Sequence, residues 1–395
     1  MIYRVKVWEK TTGGQRPVGE IISEIAENGR AKSAFRYNQE YLGRSDAFSL
    51  DPSALPVKQE SFSIDRPLFG VFEDSLPDDW GRRLLVRKNN VPRHEQNPPN
   101  LLLVLGNTGL GALSFYNNAT VQSPPSDTSI LRLSELVIAA ENYERGEILD
   151  GELSLLLSAG SSPGGARPKA AVFDENTGIH YLSKFSSIKD QVDVVRLEAA
   201  TMSLAAKAGL EVPATRVVQC ASKAVLLVKR FDVLPTGRRH MISFQTLLKA
   251  YDYYQLRYQD LLAIVRKYSS DPKDDSVRLF RQMVFNGLVG NTDDHLKNFW
   301  MIHDYEKGLR LSPAFDLVPD LNQREEHVLL FDISGYYPGR HNIVSLGRRW
   351  GISNADSIVD QVVEAVRGWK EEFAITGVLE TDMRRFRAID TRTEE

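Results

Sequence analysis

The chain has 395 residues, of which 42% are hydrophobic and 26% charged, with a formal net charge of −3. That balance predicts a soluble, mixed globular protein with two or three compact units sharing one active site, and it excludes a wholly disordered or membrane-embedded chain. It gives no global attraction for polyanions, and the short basic pairs Arg348-Arg349 and Arg384-Arg385 read as solvated surface, so any contact with DNA is expected through a partner.

The opening Met1-Ile2-Tyr3-Arg4-Val5-Lys6-Val7-Trp8 alternates like a strand and lacks the apolar run of a signal peptide. A turn at Gly13-Gly14 follows, then a segment ending in Leu68-Phe69-Gly70-Val71-Phe72. Asp78-Asp79 mark a helix start, with Trp80, Leu84 and Leu85 on one face. The glycines between Gly106 and Gly111 precede Ala112-Leu113-Ser114-Phe115 with no helix signal after them, so they predict a turn and a strand rather than a dinucleotide site.

Ser123-Pro124-Pro125-Ser126-Asp127 breaks helix and sheet alike and predicts a linker over 119–129. Helical spacing resumes at Leu133, Leu136, Val137 and Ala140. Residues 170–230 then read as strand, strand, helix, strand, with the only cysteine, Cys220, in an apolar stretch that predicts a buried thiol. Leu279, Phe280, Met283, Val284, Gly287 and Leu288 trace one face of a helix running up to Asn291. No apolar run approaches 18 residues, so no membrane anchor is expected and the predicted location is cytoplasmic. The expected architecture is α+β: an N-terminal α/β subdomain over 1–122, a sheet-rich lobe with a glycine-rich loop over 123–232, and a helical lobe over 233–395.

The run Asn291-Thr292-Asp293-Asp294-His295-Leu296-Lys297-Asn298 crowds polar groups between a helix and a strand, and Asp316 follows the next hairpin. Phosphoryl transfer needs one carboxylate to orient the attacking hydroxyl, and a second carboxylate with a side-chain carbonyl to hold magnesium. Asp293 and Asn298 have the five-residue spacing of a kinase catalytic loop, Asp316 supplies the other oxygen ligand, and His295 and Lys297 can add contacts to the loop or to the phosphates. Asp294 is a rival for the role of base; Asp293 is preferred for its distance to Asn298. Upstream, Lys184 on a strand and Glu198 on a helix occur in the order kinases use to hold phosphates. Before them, Ser158 to Lys169 is rich in small residues that let backbone N–H groups approach a phosphate. Taken singly, the polar loop could be a helix stop with Asx turns, Lys184 and Glu198 surface charges, and the small-residue stretch a surface loop.

Together, these segments resemble the HipA family of bacterial toxin serine/threonine kinases. The pieces are Phe72-Glu73-Asp74-Ser75-Leu76-Pro77-Asp78, Gly111-Ala112-Leu113-Ser114-Phe115, the Ser162–Lys169 loop, Lys184, Arg230-Phe231-Asp232, Thr292 to Asn298, and Ala314-Phe315-Asp316. The resemblance implies a protein-kinase-like two-lobed fold, ATP and Mg2+ as cofactors, Asp293 as catalytic base, and Asn298 and Asp316 as metal ligands. By the same resemblance, Lys184 contacts the phosphates, the nucleotide is bound by Ser162, Gly164, Gly165, Ala166, Lys169, Lys229, Phe231, His295 and Lys297, and the hinge runs from Val228 to Phe231. Ser162, or the adjacent Ser161, matches the position of inactivating autophosphorylation. The implied partners are a HipB-like helix-turn-helix antitoxin, which would supply the DNA contact, and a protein substrate such as an aminoacyl-tRNA synthetase. The chain lacks the His-Arg-Asp signature and the DFG glycine of eukaryotic kinases. Two rival readings stay open: a small-molecule phosphotransferase of the aminoglycoside or choline kinase type, and a non-catalytic ATP-binding corepressor.

Overall fold

Strict alternation along Ile2–Thr11 puts Val5, Val7 and Glu9 on one fully buried face. In the computed structural model, which describes residues 1–11, 14–117, 128–159, 167–220, 223–235, 237–252 and 254–394, this strand pairs antiparallel with Gly14–Ile25, with Leu113–Tyr116 and, at its end, with Gly237–Arg238. The sheet continues through Ala31–Tyr37 to Ser61–Ile64. Its buried face meets an aromatic core in which the Phe72 ring lies 5.2 Å from Phe35 and 6.3 Å from Phe115. Glu9 is tolerated on that face because Arg44 lies 2.8 Å and Arg16 3.4 Å from its carboxylate, and the Tyr305 hydroxyl donates to it at 2.8 Å.

The chain forms two compact units. The first comprises Met1–Ile188, Lys229–Ile242 and Ile302–Glu306, and the second Lys189–Val228, Ser243–Met301 and Lys307–Glu395. Within the first, the helix Asp79–Lys88 begins after Asp78 as expected and buries Trp80, Leu84 and Leu85. Leu133–Arg145 likewise buries the four residues its spacing predicts. Most of the expected linker, residues 119–127 of it, lies outside the described residues. Its end does not: Thr128–Ser129 is a short strand parallel to Lys169–Asp174, which pairs antiparallel with Ile179–Phe185.

The second unit is mostly helical. The helix Pro272–Val289 has proline in its first turn, where no N–H partner is lost, and Asp271 caps it by accepting from the Asp274 N–H at 3.2 Å. The predicted apolar face is the buried one. Gly287 on that face is required by close approach, since a Cβ there would stand 2.5 Å from the Tyr337 ring. The helix packs against Tyr258–Tyr268 and Ala355–Arg367, and Cys220 is buried on the strand Thr215–Cys220, with no second cysteine in the sequence to pair with. Among the described residues, no helix is long and apolar enough to cross a membrane.

Candidate active site

Gly290 ends the helix Pro272–Val289 at φ 72°, a left-handed conformation glycine adopts without strain, and releases the polar loop. The two consecutive aspartates then differ sharply. Asp294 is fully buried and its carboxylate is saturated: one oxygen accepts the Tyr258 hydroxyl at 2.5 Å and lies 3.0 Å from His327 Nδ1, while the other accepts the Val328 and Leu329 N–H groups at 3.0 and 3.3 Å. Asp293 is exposed. Its carbonyl accepts the Asn298 side-chain N–H at 2.8 Å, closing the five-residue span. A carbonyl can only accept, so the amide nitrogen is the atom on that side and the amide oxygen is the group left to serve a cation.

Between them, a single 3-10 turn spans Leu296–Asn298, with the Asn298 N–H donating to the His295 carbonyl at 2.8 Å. The Trp300 indole N–H donates to the Lys297 carbonyl at 2.6 Å. His295 and Lys297 are half-buried on this turn. The Leu296 N–H donates to the Tyr254 hydroxyl at 3.3 Å, and burial pushes that hydroxyl's pKa up.

The hairpin that follows carries Asn298 before its first strand, Trp300–Asp304, and Asp316 after its second, Gly308–Leu311. The segments bearing both residues therefore leave the hairpin at the same end, where the Ser312 N–H donates to the Trp300 carbonyl at 2.9 Å. Asp275, fully buried near the start of the long helix, grips this end: it accepts the Leu311 N–H at 2.9 Å and the Arg310 guanidinium at 3.0 Å, while Arg278 donates to the Leu311 carbonyl at 2.9 Å. Burial raises the Asp275 pKa, but the Arg310 hydrogen bond and the other donors outweigh it, leaving the carboxyl below its ordinary range. Asp316 is half-buried with φ +56°, a left-handed conformation that side-chain-bearing residues rarely adopt and that marks sites where surrounding structure imposes strain. Just before it, the Ala314 N–H donates to the Glu211 carbonyl at 2.8 Å.

Asp320 closes the loop from the other side, accepting the Thr292 hydroxyl at 3.1 Å and the Arg324 guanidinium at 2.8 Å. Burial works against it, yet Arg324 holds its carboxyl below the usual range. The Asp320 hydrogen bond raises the Arg324 pKa, and Asp293 acts in the same direction, so Asp293 lies within electrostatic reach of this pair. Among the described residues no three His, Cys, Asp or Glu side chains gather as metal ligands. The expected magnesium set is one carboxylate and one amide oxygen, both hard oxygen donors; magnesium fills its remaining positions with water and phosphate, so Asn298 and Asp316 fit the ion.

Tyr258, Asp275, Asp320 and His327 escaped the sequence reading. Each acts through a partner remote in sequence, and only the high polar content of the loop hinted that buried partners were needed.

In the first unit, Lys169 and Lys184 stand directly opposite each other in the antiparallel register. Lys169 is buried and Lys184 half-buried; Glu198 is buried on the helix Val194–Lys207 of the second unit. Arg230 and Asp232 form a buried bidentate pair at 3.0 and 2.7 Å, and Asp232 also accepts the Gly111 N–H at 2.9 Å. Two motifs far apart in sequence are thus one structural lock. Lys229 is exposed and Phe231 half-buried beside it. Ser161, Ser162, Gly164, Gly165 and Ala166 lie outside the described residues.

Residues 161–369 match the HipA-like C-terminal domain, and residues 12–116 the HipA N-terminal domain. The chain belongs to the HipA family. Its relatives include two Sinorhizobium fredii proteins: "Putative kinase Y4dM", 26% identical with 77% of this chain and 76% of that protein covered, and "Putative kinase Y4mE", 24% identical with 78% of each covered. The fold is shared with HipA of Shewanella oneidensis MR-1, solved with HipB and its operator DNA: the TM-score is 0.71 at 17% identity, over 98% of this chain and 95% of that one. The α+β expectation and the HipA-like fold are borne out.

Proposed function

We propose that this HipA-family chain is an ATP- and magnesium-dependent serine/threonine protein kinase, the toxin of a toxin–antitoxin pair, restrained by a HipB-like partner that makes the DNA contact. The observation that carries the reading is the division of labour between adjacent acids: Asp294 is consumed by four partners, while Asp293 is exposed, with its backbone pinned by Asn298. A general base must reach its substrate, and Asp293 does so from a fixed main chain.

In this mechanism Asp293 orients a serine or threonine hydroxyl and takes its proton as the new oxygen–phosphorus bond forms and the bond to ADP breaks. Magnesium, when bound, supplies positive charge against the phosphate oxygens, and Asn298 and Asp316 would hold it. Lys184, with Lys169 across the strand pair, offsets phosphate charge. Phe231 and Lys229 border the nucleotide, and His295 and Lys297 support the loop. The natural acceptor is proposed to be a protein of the translation apparatus such as an aminoacyl-tRNA synthetase, and Ser162 an inactivating autophosphorylation site.

The test is incubation of the purified chain with ATP-magnesium and host lysate, followed by mass-spectrometric mapping. Phosphoserine or phosphothreonine on a lysate protein and at Ser162 supports the protein kinase. Transfer only to small molecules, or ATP binding without transfer, would replace it with one of the two rival readings.

A further inference from the structure

The main-chain carbonyl before Asp293 and the side-chain carboxylate after it are held by one distant segment. The Val328 N–H donates to the Thr292 carbonyl at 3.2 Å and to the Asp294 carboxylate at 3.0 Å; the Leu329 N–H reaches that carboxylate at 3.3 Å, and His327 Nδ1 lies 3.0 Å from it. This segment is itself fixed. The His327 N–H donates to the Gly335 carbonyl at 2.8 Å and the Phe331 N–H to the Ser334 carbonyl at 2.9 Å, while Leu330 exchanges hydrogen bonds with Leu256 at 2.9 Å and Tyr258 at 3.0 Å. Gly335 cannot be enlarged, because a Cβ would stand 2.8 Å from the His327 carbonyl oxygen. Behind Asp294, a buried relay runs from Asn291 through Asn286 (3.1 Å) to the Tyr258 hydroxyl (3.1 Å).

We infer that Asp294 and His327 are positioning residues: the segment 327–335 acts as a clamp that, through Asp294, sets the place of Asp293. The inference rests on Asp293 as the base. It assigns work to a stretch beyond Asp316 that carries none of the proposed metal or nucleotide contacts. Loosening the clamp leaves the chemistry of Asp293 intact but displaces it, and sub-ångström to ångström displacement of a reacting group costs rate rather than nucleotide affinity.

Asp293→Asn, Asp294→Asn, His327→Leu and the double variant Asp294→Asn/His327→Leu are compared with the wild type. The rate of phosphate transfer from radiolabelled ATP-magnesium to dephosphorylated casein is measured well below each melting transition, with kcat and KM for ATP separated. Asp294→Asn keeps an oxygen for the Val328 and Leu329 N–H groups, so the fold tolerates it, but an NH2 replaces the carboxylate oxygen that accepts the Tyr258 hydroxyl and faces His327 Nδ1, and that tether is lost. Leucine at 327 fills similar space beside Phe331, whose ring lies 4.9 Å away, without the tether. The expected result is kcat lowered by about tenfold to a hundredfold in each single variant, KM for ATP unchanged, and a double variant no slower than the slower single, since both cut one tether. Wild-type kcat in either single variant, a loss confined to KM, or multiplying losses in the double variant, with Asp293→Asn inactive, overturns the clamp alone. Transfer kept by Asp293→Asn and lost by Asp294→Asn overturns the base assignment and the clamp together.

Discussion

Lowering pH should weaken the first unit through one buried imidazole. His240 is 2% exposed, with Nε2 2.7 Å from the Leu50 carbonyl, so the neutral ring donates from Nε2. Burial drives its pKa down to about 4, with the Leu50 bond opposing and His303 adding to the drop. An unfolded histidine titrates near 6.5, so between these values the unfolded chain binds the proton and the folded chain does not. The stability is therefore present above about pH 6.5 and is lost as pH falls toward 4, by about 1.4 kcal/mol at pH 5.5 and about 2.5 kcal/mol at pH 4.5. For a unit of this size that is a fall in melting temperature of roughly 5–10 °C. His240→Gln keeps an N–H donor for Leu50 and cannot titrate. Thermal unfolding of both proteins at pH 7.5, 5.5 and 4.5 should give a shallower pH dependence for the variant by that amount. Equal slopes would refute the reasoning.

Asp275→Ala strands Arg310, Arg278, the Ser269 hydroxyl and the Leu311 N–H around an emptied buried site, and should cost about 3–5 kcal/mol in chemical unfolding of the second unit. Because the hairpin bearing Asn298 and Asp316 is loosened, the magnesium concentration for half-maximal transfer should rise as well; an unchanged requirement would separate that network from the site. Lys184→Met should weaken binding of a fluorescent ATP analogue by about tenfold or more, and unchanged affinity would remove Lys184 from the nucleotide contacts.

Period and polarity were enough to read the helix leading to Asn291, because its apolar face repeats at 3.6 residues, and to read the opening strand, because it alternates. The polar run from Asn291 to Asn298 stood out because its residue types compete with regular structure. Burial within that run did not: what separates Asp294 from Asp293 is Tyr258 and His327, 36 and 33 positions away. The same holds for Asp232, whose carboxylate serves the Gly111 N–H across 121 positions. Glu9 sat in an apolar phase that alternation alone would have given to a hydrophobic residue, and only the approach of Arg16, Arg44 and Tyr305 accounts for it. The register that opposes Lys169 to Lys184 is set by the turn between their strands, which composition does not encode.

The account stands on Asp293, Asn298 and Asp316 forming one phosphoryl-transfer centre. The most direct measurement is the rate of radiolabel transfer from ATP-magnesium by Asp316→Ala, with folding checked by its melting transition. The account predicts a folded protein with transfer reduced to background. A folded Asp316→Ala variant that transfers phosphate at the wild-type rate would contradict it.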